Sequence, residues 1–567
     1  MQIRDRLEKV VDEAIAAAIA DGTLSMDEVP EAGLERPRDP ENGDWASTVA
    51  MRSAKLAHAN PRVIADAIVA HLPENDVVKS AEVAGPGFIN FRLTDSVLQG
   101  VVARIREERG DFGRGTIAQD ERKVNLEYIS ANPTGPMHVG HGRWAALGDA
   151  MARIMRHAGY DVYEEFYVND HGTQMDVFGN SIAVRYLQLL GHDVEMPEEC
   201  YGGAYVRDIA QGIIDLEGDK YVGMSDDERL IAMREIGYHA MLDDQRSLLE
   251  RFGTTFDCWF SERNLYVPDE NGQTAVDRAL AVMTEKGYVY EKEGATWFRS
   301  TDFGDDKDRV LIKANGELTY FTSDMAYHYD KVKRGFDHLI DIWGADHHGY
   351  IKRCEAMMEA WGCAGMLEVV LGQLVNLLRD GEPVRMSKRT GEMVTFGELV
   401  DEVGVDATRF LMLSRSSDQP VDFDIEVAKK QDASNPVYYV QYAHARICSI
   451  LRKAAGDDAA SAGELAARVV PADADLSPLV HESELALMRK IDDFAELIAL
   501  SARDRAPYRL THYAQELASL FHQFYTNCHI VGEEPAIQDA RLALADATRI
   551  VLALTLSLLG VSAPERM

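Results

Sequence analysis

No CxxC pair occurs among the six cysteines of this 567-residue chain. That removes the usual spacing of a zinc site and the framework of a disulfide scaffold, and it fits a reducing, cytoplasmic setting. Long apolar runs are missing as well. The longest near the end, IVLALTLSLLGV at 550–561, has 12 residues against the ~20 that span a bilayer, and Thr555 and Ser557 interrupt it. The opening segment lacks the apolar core of a signal peptide. Its Ile3, Leu7, Val10, Ala14 and Ile15 fall at helical spacing among charges and predict an amphipathic helix. Basic residues are scarce: 59 Lys and Arg face 94 Asp and Glu, a net charge of −35. Taken alone, that number speaks against a nucleic-acid partner, because phosphate binding needs a basic face. Local patches can override a global average.

What is present suffices for a large folded protein. The chain is 46% hydrophobic and 27% charged, enough for a sizeable core and unlike a disordered or fibrous sequence. At ~150 residues per domain the length predicts three to four domains. Residues 1–115 open with helical patterns and close on a β-rich stretch around Gly85-Pro86-Gly87, then a helix over 97–108. Residues 116–410 alternate strand and helix signals, which predicts an α/β domain on a largely parallel sheet. Within it, 191–257 reads as an acidic helical insertion. Residues 411–567 show no good strand pattern. There Leu510, Tyr513, Leu517, Leu520, Phe521, Phe524 and Cys528 step by threes and fours, the core-facing stripe of a helix bundle.

The first motif lies at 123–159. KVNLEYI reads as a strand, Pro133, Gly135, Pro136 and Gly140 as a turn, and 142–157 as a helix closed by Gly159. A compact loop at the C-terminal end of a parallel strand is where open α/β sheets bind ligands. A helix N-terminus there offers free N–H groups and a positive dipole end to phosphate. His138 and His141 flank Gly140; their imidazoles can donate to phosphate oxygens, and the glycine leaves room for a flat base. Outside this context an HxxH would read as a metal site or a helix cap. The second motif is GEPVRMSKRTGEMV, about 250 residues on, with Lys388 and Arg389 in a Ser/Thr/Gly loop ahead of a helix over 396–403. A flexible lysine can follow a departing pyrophosphate and offset charge that grows in the transition state.

The pairing of these motifs resembles the class I aminoacyl-tRNA synthetases. LEYISANPTGPMHVGH, YVNDHGTQM, FDCWFSE, GELTYFTSDMAYH, WGADHHGY and the ending LGVSAPERM narrow the resemblance to the arginyl-tRNA synthetase family, bacterial form, over essentially the whole chain. The resemblance implies a Rossmann-like catalytic domain over 116–410, an N-terminal α+β additional domain over 1–115 that contacts the tRNA elbow, and an all-α anticodon-binding bundle over 411–567. It implies an enzyme, an arginine–tRNA ligase, that joins arginine to ATP as an adenylate and passes the arginyl group to tRNA(Arg). ATP would enter with Mg²⁺ on its phosphates and no zinc would be needed. A cytoplasmic monomer without membrane attachment is the matching expectation.

Carried over residue by residue, the catalytic set is His138, His141 and Lys388. ATP would be held by Pro133, Gly135, His138, Gly140, His141, Met386, Ser387 and Lys388. Arginine would meet Glu127, Ser130, Asn132, His141, Tyr320, Asp324 and Asp346. Carboxylates suit it, because a guanidinium is planar, always charged and met in bidentate fashion. Asn315-Gly316 marks a hairpin expected to deliver Tyr320 and Asp324. Eukaryotic relatives place a glutamine after the glycine matching Gly344; here Ala345 and Asp346 follow, so Asp346 is the candidate for the substrate ammonium. For tRNA the set is Phe88, Asn90, Lys429, Lys430, Tyr442 and Arg446. Between 426 and 453 five cations stand against two carboxylates, interleaved with Tyr438, Tyr439 and Tyr442. That local basic, aromatic stretch reverses the expectation from global charge.

Rival readings are another class I synthetase, a small-molecule adenylyltransferase and a non-catalytic tRNA-binding paralogue. The cysteine pattern denies the zinc that cysteinyl enzymes need, and the ~65-residue insertion is small for an editing domain. An adenylyltransferase would not need 150 helical residues at its end, and intact His138, His141 and Lys388 oppose a non-catalytic paralogue.

Overall fold

The computed structural model describes all residues except 1, 38, 118–120 and 385–393. The opening helix Ile3–Ala20 buries Leu7, Val11, Ala14 and Ile15 as its spacing predicts. It packs on helix Pro61–Ala70, which lies on a four-stranded antiparallel sheet ordered Leu34–Glu35, Trp45–Ser47, Phe88–Leu93, Val78–Ala84. Gly85 and Gly87 take positive φ at the hairpin between the last two.

The second block is built on a five-stranded, wholly parallel sheet. Its order is Leu367–Gly372, His338–Gly344, Lys123–Glu127, Asp161–Val168, Cys258–Ser261. The chain starts in the middle, runs outward one way, and returns to the other side. Strand order therefore reverses between Lys123–Glu127 and His338–Gly344, and their C-terminal ends form the switch point where open sheets bind ligands. The insertion is helical as expected, with helices Ala204–Glu217 and Asp226–Arg251 between strands Asp161–Val168 and Cys258–Ser261.

Two sequence expectations need correction. The hairpin around Asn315-Gly316 is reduced to strand Arg309–Ile312, a turn in which Lys313 N–H donates to Glu317 O (2.8 Å), and one bridge from Ile312 to Leu318. Helix Tyr320–Lys333 takes over at once, because Phe321 and Met325 bury at a four-residue step, not in alternation. Tyr320 and Asp324 thus ride on a helix. The second correction is a strand, Val421–Asp424, inside the block expected to hold none. It pairs parallel to Val375–Arg379, and only Val421 and Phe423 face inward, too short an alternation to read.

Beyond it the chain is helical to the end, with helix Tyr508–Asn527 burying Leu510, Tyr513, Leu517, Phe521 and Phe524. The first block docks on the last: Arg36 pairs with Asp492 (2.5 Å), Arg489 with Asp44 (2.6 Å), and Arg106 donates to Val470 O (3.1 Å). Among the described residues no helix is long and apolar enough to cross a membrane.

Candidate active site

Helix Val139–His157 begins at the switch point with His138 as its N-cap. The His138 backbone N–H donates to His141 Nδ1 (3.2 Å), and the two rings stack with centroids 3.6 Å apart. A Cβ on Gly140 would stand 2.9 Å from His138 Cε1, so the room this glycine provides is taken by the His138 ring. Burial, and next the His138 charge, push the His141 imidazole down to about 3. It is neutral at pH 7. With Nδ1 accepting, its proton sits on Nε2, leaving one donor for an anion. Trp144 sets its edge against both histidines, at 6.2 and 5.6 Å. It lies over Gly344 and Gly372, neighbours in register at two strand ends, where any Cβ would crowd the indole.

The two motifs meet. Phe396 N–H donates to Met137 O (2.9 Å), and Thr395 bridges His138. The Phe396 ring fills the gap at Gly142, where a Cβ would come within 2.5 Å. The C-terminal anchor of the lysine loop is therefore seated on the histidine turn. Met386, Ser387 and Lys388 themselves lie outside the described residues.

After strand Lys123–Glu127 the backbone turns through Ile129 (φ 69) and Ser130 (φ 45). A β-branched residue in the left-handed region is costly, about 1–3 kcal/mol, and persists only where the surroundings enforce it. Ser130 Oγ donates to Glu127 Oε1 (2.9 Å) and accepts the Tyr167 N–H (3.1 Å). The insertion grips the following loop: Gln245 Nε2 donates to Asn132 O (3.1 Å) and the Tyr205 hydroxyl to Thr134 O (2.9 Å). Asn132 is exposed and donates to Gln174 Oε1 (3.2 Å), Pro133 is buried, and Gly135 faces Tyr205.

Glu127 was expected to face a guanidinium. The structure gives its Oε2 another cation: Lys331 Nζ, fully buried, at 2.6 Å, which also donates to Asp341 Oδ1 (2.9 Å). His328 Nε2 lies 3.0 Å from the other Asp341 oxygen. Burial opposes ionisation of Asp341, yet Lys331 and His328 hold its carboxyl well below the usual range. Burial works against the Lys331 charge too, and the Asp341 and Glu127 charges outweigh it.

Asp324 and Tyr320 lie on the first turns of helix Tyr320–Lys333. Tyr320 is 74% exposed. Burial raises the Asp324 carboxyl, while His328 and a hydrogen bond from Tyr350 pull the other way. Glu262, which the sequence did not single out, is only 6% exposed and accepts from the Tyr266 hydroxyl (3.3 Å). Asp346 stands exposed past strand His338–Gly344, 3.6 Å from His347 Nε2.

The expected tRNA residues sit apart from this centre. Phe88, Asn90 and Arg92 share the outer face of strand Phe88–Leu93, and Ile89, Phe91 and Leu93 the core face, so Phe88 is not a core residue. On helix Pro436–Ala455, Tyr438 and Tyr442 stack nearly parallel at 6.3 Å, and Arg446 lies over Tyr442 and Tyr525 at 5.6 and 4.6 Å. Lys429 spends its charge on Glu402 (3.3 Å) and Glu426 (3.7 Å), which Arg379 also holds. Lys430 is exposed beside it.

Three family models match in order: the arginyl tRNA synthetase N terminal domain at 5–93, the catalytic domain of class I (R) tRNA synthetases at 109–448, and the DALR anticodon binding domain at 440–567. The arginine–tRNA ligase of Heliobacterium modesticaldum is 45% identical, with 100% of this chain and 99% of that one covered. That of Bacillus subtilis is 44% identical with both chains covered in full. Among solved structures, an arginyl-tRNA synthetase from Campylobacter jejuni superposes with a TM-score of 0.76 at 35% identity, covering 84% of this chain and all of the other. The stacked histidines, the lysine-loop anchor seated on them and the switch-point acids are thus found in a chain that belongs, from its first block to its last, to the arginyl-tRNA synthetases of class I.

Proposed function

We propose that His138, Gly140 and His141 cradle the ATP phosphates, that Lys388 with Met386 and Ser387 closes over them, and that arginine enters between Asn132, Tyr320, Asp324 and Asp346. The reaction is arginyl-tRNA synthesis: arginine and ATP give arginyl-adenylate and diphosphate, and the arginyl group then passes to the tRNA 3′ end. The arginine carboxylate is an anion at pH 7 and attacks the α-phosphorus directly. An O–P bond forms, the bond to pyrophosphate breaks, and no strong base is needed. The site has to position the reactants and offset charge on the phosphates. Neutral His141 presents an Nε2–H donor for that purpose. ATP enters as its Mg²⁺ complex, and Ser130 and Glu127 shape the wall behind the arginine. The chain works as a cytoplasmic monomer, a setting in keeping with six free cysteines. Phe88, Asn90, Lys430, Tyr442 and Arg446 contact tRNA(Arg).

The observation that carries this reading is the seating of Thr395–Phe396 on Met137–His138, which brings two motifs about 250 residues apart to one strand end. ATP–pyrophosphate exchange, with and without tRNA(Arg), tests it. Exchange should require arginine. Lys388→Ala should lower its rate by about 10²-fold with little change in the KM for ATP, as for loss of one transition-state charge stabiliser. Equal losses in rate and ATP affinity would remove Lys388 from that role.

A further inference from the structure

Helix Val139–His157 carries a further polar group beside the histidines. Arg143, two residues past His141, is 1% exposed. Its guanidinium is spent on backbone carbonyls. Nη1 donates to Gln373 O (2.7 Å) and Leu374 O (3.4 Å). Nη2 donates to Ser416 O (2.9 Å) and Gln419 O (2.7 Å). Burial pulls the group down to about 10, against the charge of Asp418, which is itself exposed. A buried cation among neutral acceptors costs free energy, and packing alone would be served by an apolar side chain. What arginine adds is its planar fork. The two prongs hold two segments at a fixed spacing, which the single point of a lysine does not.

Those segments are the entries to two strands. At Gln373 and Leu374 the chain leaves strand Leu367–Gly372 of the parallel sheet and starts strand Val375–Arg379. Ser416 and Gln419 precede strand Val421–Asp424, its parallel neighbour. Gln373 N–H donates to Ser417 O (2.9 Å) and Val421 N–H to Leu374 O (3.2 Å), so the entries are tied to each other as well. Past Arg379 the chain turns through Asp380 and Gly381, both at positive φ, into strand Glu382–Pro383. Asp424 Oδ2 accepts the Gly381 N–H (2.8 Å) and holds that turn, and Val384 N–H returns to Leu377 O (2.9 Å). Val384 is the last described residue before the lysine motif; Thr395 and Phe396, after it, sit on Met137–His138. Both flanks of the motif therefore hang from one helix. The later flank touches the histidine turn, and the earlier one is held through the small sheet by Arg143.

We propose that Arg143 is a positioning residue for the reaction: its fork fixes the small sheet against the histidine turn and so sets the place of the motif's earlier flank, Val384, relative to His138 and His141. This rests on the reading of Lys388 given above. Arg143 touches no substrate; it acts through the strand pair, and its effect is felt where the lysine charge must meet the phosphates.

A double-mutant cycle in ATP–pyrophosphate exchange tests this. Arg143→Lys keeps the charge and loses the fork. It should lower kcat by roughly tenfold, part of the ~10²-fold that a 1 Å misplacement can cost. The KM values for arginine and ATP should stay within about twofold. In the Lys388→Ala enzyme the same substitution should lower kcat by less than about threefold, because the charge that Arg143 places is already gone. A merely structural loss would reduce the active fraction and multiply through both backgrounds. Equal factors in the two backgrounds overturn the proposal, and so does a raised KM with kcat unchanged. If Arg143→Lys does not fold, Asp424→Asn decides from the other end of the small sheet. Asparagine keeps an acceptor for the Glu426 N–H and loses the one for Gly381. Its loss of kcat should likewise vanish beside Lys388→Ala; a loss that multiplies, or no loss at all, overturns the proposal. Lys388→Ala with the parent's rate would instead fail the underlying reading, and that single variant reports it separately.

Discussion

Single positions near the histidine turn are set by contact more than by local preference. Gly140 lies in the first turn of helix Val139–His157, where alanine would favour the helix by up to about 1 kcal/mol. The structure keeps glycine because an added Cβ would press on the His138 ring at 2.9 Å. That ring cannot yield freely, since it is stacked on His141 with Trp144 against both. Gly140→Ala should therefore leave thermal stability equal or slightly raised and lower the rate of adenylate formation by about 10²-fold, the scale of an ångström-sized misplacement. Stopped-flow or exchange kinetics beside a melting curve would check it; loss of both together would mean the helix start, not the ring, had been damaged. The strained pair Ile129 and Ser130 belongs to the same logic. Nothing in the string YISAN announces a left-handed backbone at a β-branched residue, and the cause is the tertiary grip of Glu127, Tyr167 and the insertion on that loop.

At the scale of elements, the turn and helix of the first motif, the helix after the lysine loop and the stripe of helix Tyr508–Asn527 were legible, because periodicity and turn residues are local signals. What joins them was not. Glu127 and Lys331 are 204 positions apart, and one sequence gives no means of pairing them. Glu127 was singled out for a guanidinium without sight of that partner, and Glu262 was passed over because a buried acid and a surface acid look alike in a string. The Lys331 bridge links two adjacent strand ends, Glu127 and Asp341 in register, to the helix that carries Asp324. Lys331→Met would leave buried Glu127 without its cation and Asp341 with His328 alone, at a cost of about 3–5 kcal/mol. The pH dependence should change sign. In the parent, Asp341 is held low, so its contribution is present above the unfolded carboxylate range and fades as pH falls. In the variant Glu127, which burial already raises in the parent, would be raised further and only His328 would still hold Asp341, so the folded state would take up a proton and stability would increase from pH 8 to pH 5. Chemical denaturation across that range measures both effects. A variant that still loses stability on acidification would place the charge balance elsewhere.

For the whole molecule, the docking of the first block on the last, through Arg36–Asp492 and Arg489–Asp44, could not be read from the sequence, though the three-block order could. Global charge was the weakest guide, since −35 argued against the tRNA partner that the family has. The two facts coexist because they act at different ranges, and salt separates them. Self-repulsion among excess carboxylates is long-range and is screened as the Debye length shrinks from ~10 Å at 0.1 M to ~3 Å at 1 M. The free enzyme should melt at a higher temperature as salt is added. Binding of tRNA depends on local cations that release counterions, so affinity should fall steeply over the same range. Lys430→Ala and Arg446→Ala should each reduce the log–log salt slope by about one unit, as for loss of one phosphate contact. Lys429→Ala should change the slope less, because Glu402 and Glu426 already offset that charge and release of Lys429 from them opposes its transfer to a phosphate. Filter binding of tRNA(Arg) from 50 to 300 mM salt distinguishes the three. An effect at Lys429 equal to that at Lys430 would mean that the Arg379 network opens when tRNA binds, with Arg379 left to hold both carboxylates. A slope unchanged in all three variants would put the tRNA on another face of the bundle.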